Sequence, residues 1–317
     1  MNQTFDTQAW CVQTKTHDLQ LTDKALAPLA DNEVRIENRA IGLNPVDYKV
    51  IHGGVLSDGQ IAGVDGAGII TAVGSSSLEH LLGARVAYHQ NLKRDGSFAK
   101  HIHLQAKVII PIPEEMDFIT AASLPCPLLT AWQAVEKVPA KAGREVLVSG
   151  ASGSVGRYLI QLLSQKGFQV SVTANPNRHE QLAALGASHC YAMDAQFNER
   201  QFFAIFDTRS SDSAQQLAPA LQANGHSVSI QGRLNTQPLA AFGRCISLHE
   251  IALGALHQEG LEIDWLELTQ AGQSLLAQIE SGSLIANPVH TVNFDQLSEA
   301  LSEFEHRRKA LKYVVQC

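Results

Sequence analysis

The stretch Glu145-Val-Leu-Val-Ser-Gly-Ala-Ser-Gly-Ser-Val-Gly156, with its continuation Arg157-Tyr-Leu-Ile-Gln-Leu-Leu-Ser-Gln-Lys-Gly167, constrains this chain more than any other. A β-type apolar run (Val146, Leu147, Val148) breaks into glycines, after which Val155, Leu159, Leu162 and Leu163 recur at helical spacing. That is strand, tight turn, helix. The turn reads Ala151-x-Gly153-x-x-Gly156, a dinucleotide-type fingerprint with Ala in the first glycine position. Gly153 lets a pyrophosphate approach the backbone, Gly156 lets helix pack on strand, and the free N–H groups of the helix's first turn attract an anion. A second β-type run, Phe168-Gln-Val-Ser-Val-Thr173, leads into Asn175-Pro-Asn-Arg-His-Glu-Gln-Leu-Ala-Ala-Leu-Gly186. There Asn175 caps, Pro176 takes the first helical position and Gly186 stops the helix. The expected product is a βαβα unit with phosphate-binding chemistry at its first turn.

Phe202-Phe-Ala-Ile-Phe-Asp207 and His226-Ser-Val-Ser-Ile-Gln-Gly232 read as the fourth and fifth strands of the same parallel sheet, and residues 245–253 as a sixth. Ligands of such open sheets sit beyond the carboxyl ends of the strands. The candidate cofactor-binding residues are therefore Ser152, Gly153, Ser154, Val155, Thr173, Asn175, Arg178, Asp207 and Gly232. The serines of the turn, Ser149, Ser152 and Ser154, are phosphate-loop hydroxyls, since no nucleophile elbow surrounds them.

Upstream of this unit the pattern is β-rich to about residue 125. Val34-Arg-Ile-Glu-Asn-Arg-Ala-Ile41 alternates like a half-buried strand and runs into the loop Gly42-Leu-Asn-Pro-Val-Asp-Tyr-Lys49. The glycines of residues 61–74 suit close backbone packing, and further short strands are expected at 83–88 and 96–103. His101 and His103, alternating on the latter, read as surface residues. Residues 118–138 read as helix interrupted at Pro125 and Pro127. Downstream, a helix over 265–280 precedes a strand near 289–292. A helix with Leu297, Leu301 and Phe304 on one face follows, then a strand over 311–315.

The 317 residues suggest about two domains on a prior of ~150 residues each. A net charge of −7 argues against a polyanion partner such as nucleic acid, and no Lys/Arg run exceeds Arg307-Arg308-Lys309. No apolar stretch reaches the ~18 residues of a membrane span, and the N-terminus lacks a basic-then-apolar leader, so a cytoplasmic, membrane-free protein is expected. Cys11, Cys126, Cys190, Cys245 and Cys317 show no C-x-x-C spacing, which indicates neither a zinc knuckle nor a disulfide framework.

Over nearly the whole chain this order of segments resembles the medium-chain dehydrogenase/reductase superfamily, and more narrowly its zinc-independent quinone oxidoreductase branch, which includes NADPH-dependent enone reductases. The matching stretches are Gly42-Leu-Asn-Pro-Val-Asp-Tyr-Lys49, Gly63-Val-Asp-Gly-Ala-Gly68, Asp95-Gly-Ser-Phe-Ala-Lys100, Ala121-Ala-Ser-Leu-Pro125 with Leu129-Thr-Ala-Trp-Gln-Ala134, Gly150-Ala-Ser-Gly-Ser-Val-Gly156 and Leu185-Gly-Ala187. The resemblance implies an α/β protein: a chaperonin-10-like partly open β-barrel on the substrate side (1–124), a Rossmann doubly wound parallel sheet binding NADPH (125–257), and a segment returning to the first domain (258–317). It adds Thr130 and Lys312 to the cofactor-binding candidates. It also implies a homodimer with residues 245–253 near the contact.

The zinc-dependent members of that superfamily place a Cys where this chain has Asn44 and a His where it has Val64. Cys126 falls at the third ligand position, and the expectation is that no metal is held. At the end of the second strand, Val172-Thr-Ala-Asn-Pro-Asn-Arg178 carries no carboxylate before Glu180. An NAD site would place one there for the ribose 2′-hydroxyl, whereas Arg178 and a helix N-terminus attract a 2′-phosphate. NADPH is thus expected over NADH. Without a metal to polarise a carbonyl, the expected acceptor is one already electrophilic, a quinone or the β-carbon of an α,β-unsaturated carbonyl. In the resembling family the loop bearing Asn44, Tyr48 and Lys49 faces the nicotinamide. Lys49 or the Asn44 amide would hydrogen-bond the forming enolate, while Asp47 orients the loop. A second reading, an NADPH-binding redox-responsive module without significant turnover, stays open at this point.

Overall fold

The chain opens with a hairpin outside the expected strands: β1 (Phe5–Gln13) and β2 (Asp18–Leu26) pair antiparallel from Phe5 opposite Leu26 to Gln13 opposite Asp18. Next comes β3 (Glu33–Gly42), whose alternating pattern buries Val34, Ile36, Ala40 and Ile41. It runs into helix α1 (Pro45–His52), with Pro45 at the first helical position and Asn44 as its N-cap. Then follow β4 (Asp65–Val73), β5 (Arg85–His89), β6 (His101–Gln105), β7 (Ile109–Pro111) and α2 (Phe118–Ala122). The strand expected over 96–103 begins only at His101. Before it the chain is irregular, tied to β1 by a bridge between Ala9 and Ala99.

Helix α3 (Pro125–Glu136) leads into β8 (Glu145–Ser149), α4 (Ser154–Gln165), β9 (Gln169–Thr173), α5 (His179–Ala184), β10 (Ala187–Tyr191), β11 (Phe202–Asp207), α6 (Ser211–Leu217), β12 (Leu221–Ser229) and β13 (Ser247–Glu250). These strands form one six-stranded sheet in the order β10-β9-β8-β11-β12-β13. Every pairing in it is parallel. The order reverses between β8 and β11, so the carboxyl end of β8 is a topological switch point, where such sheets bind ligands. The central strands β8, β9 and β11 are buried on both faces, as helix-flanked parallel sheets require; β11 is buried at all six positions.

The remaining elements are α7 (Leu256–Glu259), α8 (Glu262–Glu280), β14 (Val289–Asn293), α9 (Leu297–His306) and β15 (Lys312–Gln316). The computed structural model describes residues 4–234, 236–306 and 311–317; the Arg307-Arg308-Lys309 run lies outside them. The contacts divide the chain into one unit of residues 1–126 with 254–317 and another of 127–253, against expected cuts after 124 and 257. In the first unit a sheet runs β14-β15-β3-β4-β5-β7. One edge of β3 is shared: β6 takes Glu33–Glu37 and β15 takes Ala40–Gly42. The last strand of the chain is thereby stitched beside the start of α1, with a common core of Ile41, Leu43, Val50, Phe98, Leu297, Tyr313 and Val315. No helix among the described residues is long and apolar enough to cross a membrane.

Candidate functional site

In the second unit, the turn after β8 is built for close approach. Gly150 sits at φ +74°, and a Cβ there would meet Arg209 and Thr208 at 2.7 and 2.8 Å. Gly156 packs so tightly on the turn that an added Cβ would lie 2.6 Å from the Ala151 carbonyl oxygen. Gly153 differs. It is exposed, caps α4 with no side-chain hydrogen bond, has φ −74°, and a Cβ added to it would meet nothing within 4 Å. Neither backbone strain nor protein packing demands glycine at that position, and the space it leaves lies at the N-terminus of α4.

The flanking candidates hold this turn. Thr173 is buried, and its hydroxyl accepts the Gly150 N–H at 3.1 Å. The Asn175 side chain accepts from Asn177 N and starts the turn carrying Arg178. The Asp207 carboxylate is buried and consumed locally, accepting from Arg209 N and Ser210 N at 2.9 Å each and from Ser213 Oγ at 2.5 Å. Asp207 thereby orders the loop that follows β11. A Cβ on Gly232 would meet Ser211 N at 2.8 Å, so it too serves packing. Ser152, Ser154, Val155 and Thr130 are partly exposed. The sequence reading missed Arg157. This α4 residue is buried, its pKa is lowered by burial and, with Tyr158 opposing, by the nearby Arg178. Its lone signal was a basic residue one position past the last glycine of the turn.

In the first unit, residues far apart in sequence meet in a buried polar cluster. Asn44 and Lys312 are each 2% exposed, Asp47 and Asp65 0%, and His89 6%. The Lys312 ammonium donates to Asn44 Oδ1 and lies 3.5 Å from Asp65 Oδ2. Asn44 Nδ2 donates to Asp65 Oδ2 at 2.9 Å and to the Gly42 carbonyl at 3.1 Å. Cys126 N donates to the same Asp65 oxygen at 2.9 Å, and His89 Nδ1 stands 2.9 Å from Asp65 Oδ1. Asp47 reaches back from α1 so that its Oδ2 accepts Asn44 N at 2.7 Å, while its Oδ1 is buried without a partner. Burial pushes the Asp47 carboxyl up to about 8; the Asn44 N–H opposes this, Asp65 adds to it and Lys312 reduces it.

These contacts bear on two expectations, and the structure corrects a third. The Asn44 amide is spent on Lys312, Asp65 and Gly42 and has no group left for an enolate. Lys312, expected among the cofactor-binding residues, has its ammonium committed to a buried amide and carboxylate. His103 is half-buried rather than a surface residue, and burial pulls its pKa down to about 4. Asp47, expected to orient its loop, accepts the Asn44 N–H. Lys49 is exposed on α1, away from the side of the helix that buries Asp47, Val50 and Ile51.

Residues 30–114 match the family model of the alcohol dehydrogenase GroES-like domain. A trans-enoyl reductase of Aspergillus terreus is 31% identical over 243 residues, covering 67% of this chain and 75% of that protein. The chain belongs to the medium-chain dehydrogenase/reductase superfamily. A trans-enoyl reductase of Petromyces alliaceus is 32% identical over 66% of this chain, and the chain spans just over half of it, 57%. The quinone oxidoreductase of Coxiella burnetii shares the fold, with a TM-score of 0.83 at 23% identity over 99% of this chain and 100% of that one.

Oxidoreductases of this family use nicotinamide cofactors, and the second unit fits one: an uncapped helix N-terminus, an open glycine and two neighbouring guanidinium groups suit a pyrophosphate with further phosphate charge. The zinc of the family's metal-dependent branch does not fit. Asn44 and Val64 stand at two ligand positions, and Val64 is fully buried. Asp65, the carboxylate of the cluster, already faces four donors.

Proposed function

We propose that the chain is a zinc-independent, NADPH-dependent reductase that delivers a hydride to a quinone or to the β-carbon of an α,β-unsaturated carbonyl. One observation carries the reading: the loop leaving β9 carries Arg178 with no carboxylate before Glu180, and the Arg178 charge reaches the buried Arg157 of α4, whose N-terminus is open and uncapped. A guanidinium attracts a 2′-phosphate that a carboxylate would repel. The similarity to trans-enoyl reductases favours the conjugated carbonyl over the quinone.

When bound, the reduced cofactor supplies the hydride. The chain's residues do the rest. The N–H groups at the start of α4 bind the pyrophosphate, Thr173 holds the Gly150 turn beside it, and Arg178 takes the 2′-phosphate. Lys49, exposed on α1, stabilises the negative charge that gathers on the acceptor oxygen as the β-carbon gains hydride. Asn44 and Asp47 fix the loop that presents it, and a proton reaching the α-carbon completes the reduction. We further propose a homodimer through residues 245–253, where β13 forms an edge of its sheet; a monomer mass by light scattering would end that part.

The test is cofactor oxidation with an open-chain enone in the presence of a chelator, with NADH alongside and quinones second. Turnover favouring NADPH by about tenfold or more is expected. NADPH bound tightly with no enone or quinone reduced would replace the enzyme by a binding module. Full activity of Lys49→Met would remove Lys49 from the mechanism.

A further inference from the structure

Asp65, His89 and Cys126 each bring one ligand-type atom to a common place, and these atoms lie within 4.8 Å of one another. Carboxylate, imidazole and thiolate form a donor set that zinc-like dications accept, and three protein ligands with a fourth position open are enough to hold one. The set differs from the one at positions 44, 64 and 126 in the zinc-dependent branch: Asp65 and His89 join Cys126 from β4 and β5.

A cation is already there. Lys312 enters from the first residue of β15, 2% exposed, and its ammonium lies 3.5 Å from Asp65 Oδ2. That oxygen also accepts from Asn44 Nδ2 and Cys126 N at 2.9 Å each, and Oδ1 faces His89 Nδ1 at 2.9 Å. Four donors thus face Asp65, three of them at Oδ2 and one at Oδ1, so the Oδ2 side is fully engaged. A dication on Asp65 would crowd these donors and sit within a few Å of a fixed positive charge in a dry site, where repulsion is weakly screened.

We propose that Lys312 is an internal cation that closes a latent metal site: its ammonium occupies the charge position of a dication at Asp65, His89 and Cys126, and removing its charge opens that site to zinc-like ions. Binding then forms a metal–sulfur bond while the Cys126 thiol releases its proton to solvent, with no change of oxidation state. Cobalt(II) binding is read without turnover, so this inference stands or falls apart from the reductase reading.

The experiment titrates the full chain with cobalt(II) and follows thiolate-to-cobalt charge-transfer and tetrahedral d–d absorption. The wild type is expected to show no band that depends on Cys126. Lys312→Met and Lys312→Gln, the second keeping hydrogen-bonding capacity without charge, are expected to bind one cobalt about 100-fold or more tightly than the wild type, the scale set by a unit charge close to a dication. Adding Cys126→Ser to Lys312→Met should abolish the band, which separates this site from the four other cysteines. Wild-type protein that binds one cobalt through Cys126 overturns the proposal, and so does a folded, uncharged variant that shows no band. If neither variant folds alone, refolding in the presence of cobalt replaces the titration: recovery of coloured, folded protein supports the latent site, and no recovery overturns it.

Discussion

The phosphate turn of the second unit and the buried cluster of the first are opposite kinds of polar site. The turn is local and open: its parts lie within residues 145–178, a Cβ on its central glycine would meet nothing, and its helix end is uncapped. The cluster is distant and closed: Lys312 meets Asn44 and Asp65 across 268 and 247 residues of sequence, and nearly every polar atom in it is paired. An open site leaves donors for a ligand and contributes little to folding; a closed one spends its donors on itself, so its energy appears as stability.

The largest effect should come from the closed side. Asp65→Asn leaves the Lys312 ammonium buried without its carboxylate and should destabilise the chain by about 3–5 kcal/mol in urea unfolding. A loss below about 1 kcal/mol would mean that the cluster is not held by its charges. Within the turn, Gly156→Ala forces a Cβ toward the Ala151 carbonyl and should cost about 1–3 kcal/mol. Gly153→Ala, with open space at the same turn, should leave stability within about 0.5 kcal/mol and weaken NADPH binding about tenfold. Equal stability losses at the two glycines would erase the distinction between packing glycine and ligand glycine.

The cluster should also respond to pH. Asp47 is raised to about 8 in the folded chain from an ordinary value of 3.8, so the folded state holds a proton there that the unfolded state has lost. The stability this proton represents is complete below about pH 3.8 and is lost as pH rises through about 8, at up to about 1.4 kcal/mol per unit. Comparing wild type with Asp47→Asn between pH 5 and 9 isolates the group. The wild type should lose stability relative to the variant as pH rises, and parallel curves would show Asp47 ionised throughout.

What could be read from the residues follows the same division. The parallel sheet was legible because β8, β9 and β11 are short apolar runs bounded by glycine or a capping residue, a signal confined to neighbouring positions. The turn carrying Gly153 and the helix start carrying Arg178 were legible for the same reason. The β1–β2 hairpin escaped notice: β2 carries Asp18, Asp23 and Lys24 and buries only Leu26 fully, so its apolar signal is weak. At the cluster, Asn44 and Asp47 were singled out on their loop but not their distant partners, because nothing near residue 44 reveals that a lysine from the last strand will take its amide oxygen. Asp65 and His89 carried no spacing at all; strand pairing of β4 with β5 brings them opposite each other. Arg157 looked like one more helix residue, and only burial beside Arg178 sets it apart.

The reductase reading rests on which nicotinamide cofactor the open turn prefers, and that is a direct measurement: NADPH and NADH affinities by fluorescence titration, for the wild type and for Arg178→Ala. The wild type should favour NADPH by about tenfold or more, and the variant should lose most of that preference while its NADH affinity and its stability stay unchanged. Equal affinity of the wild type for both cofactors, or a preference that survives the loss of Arg178, would contradict the assignment.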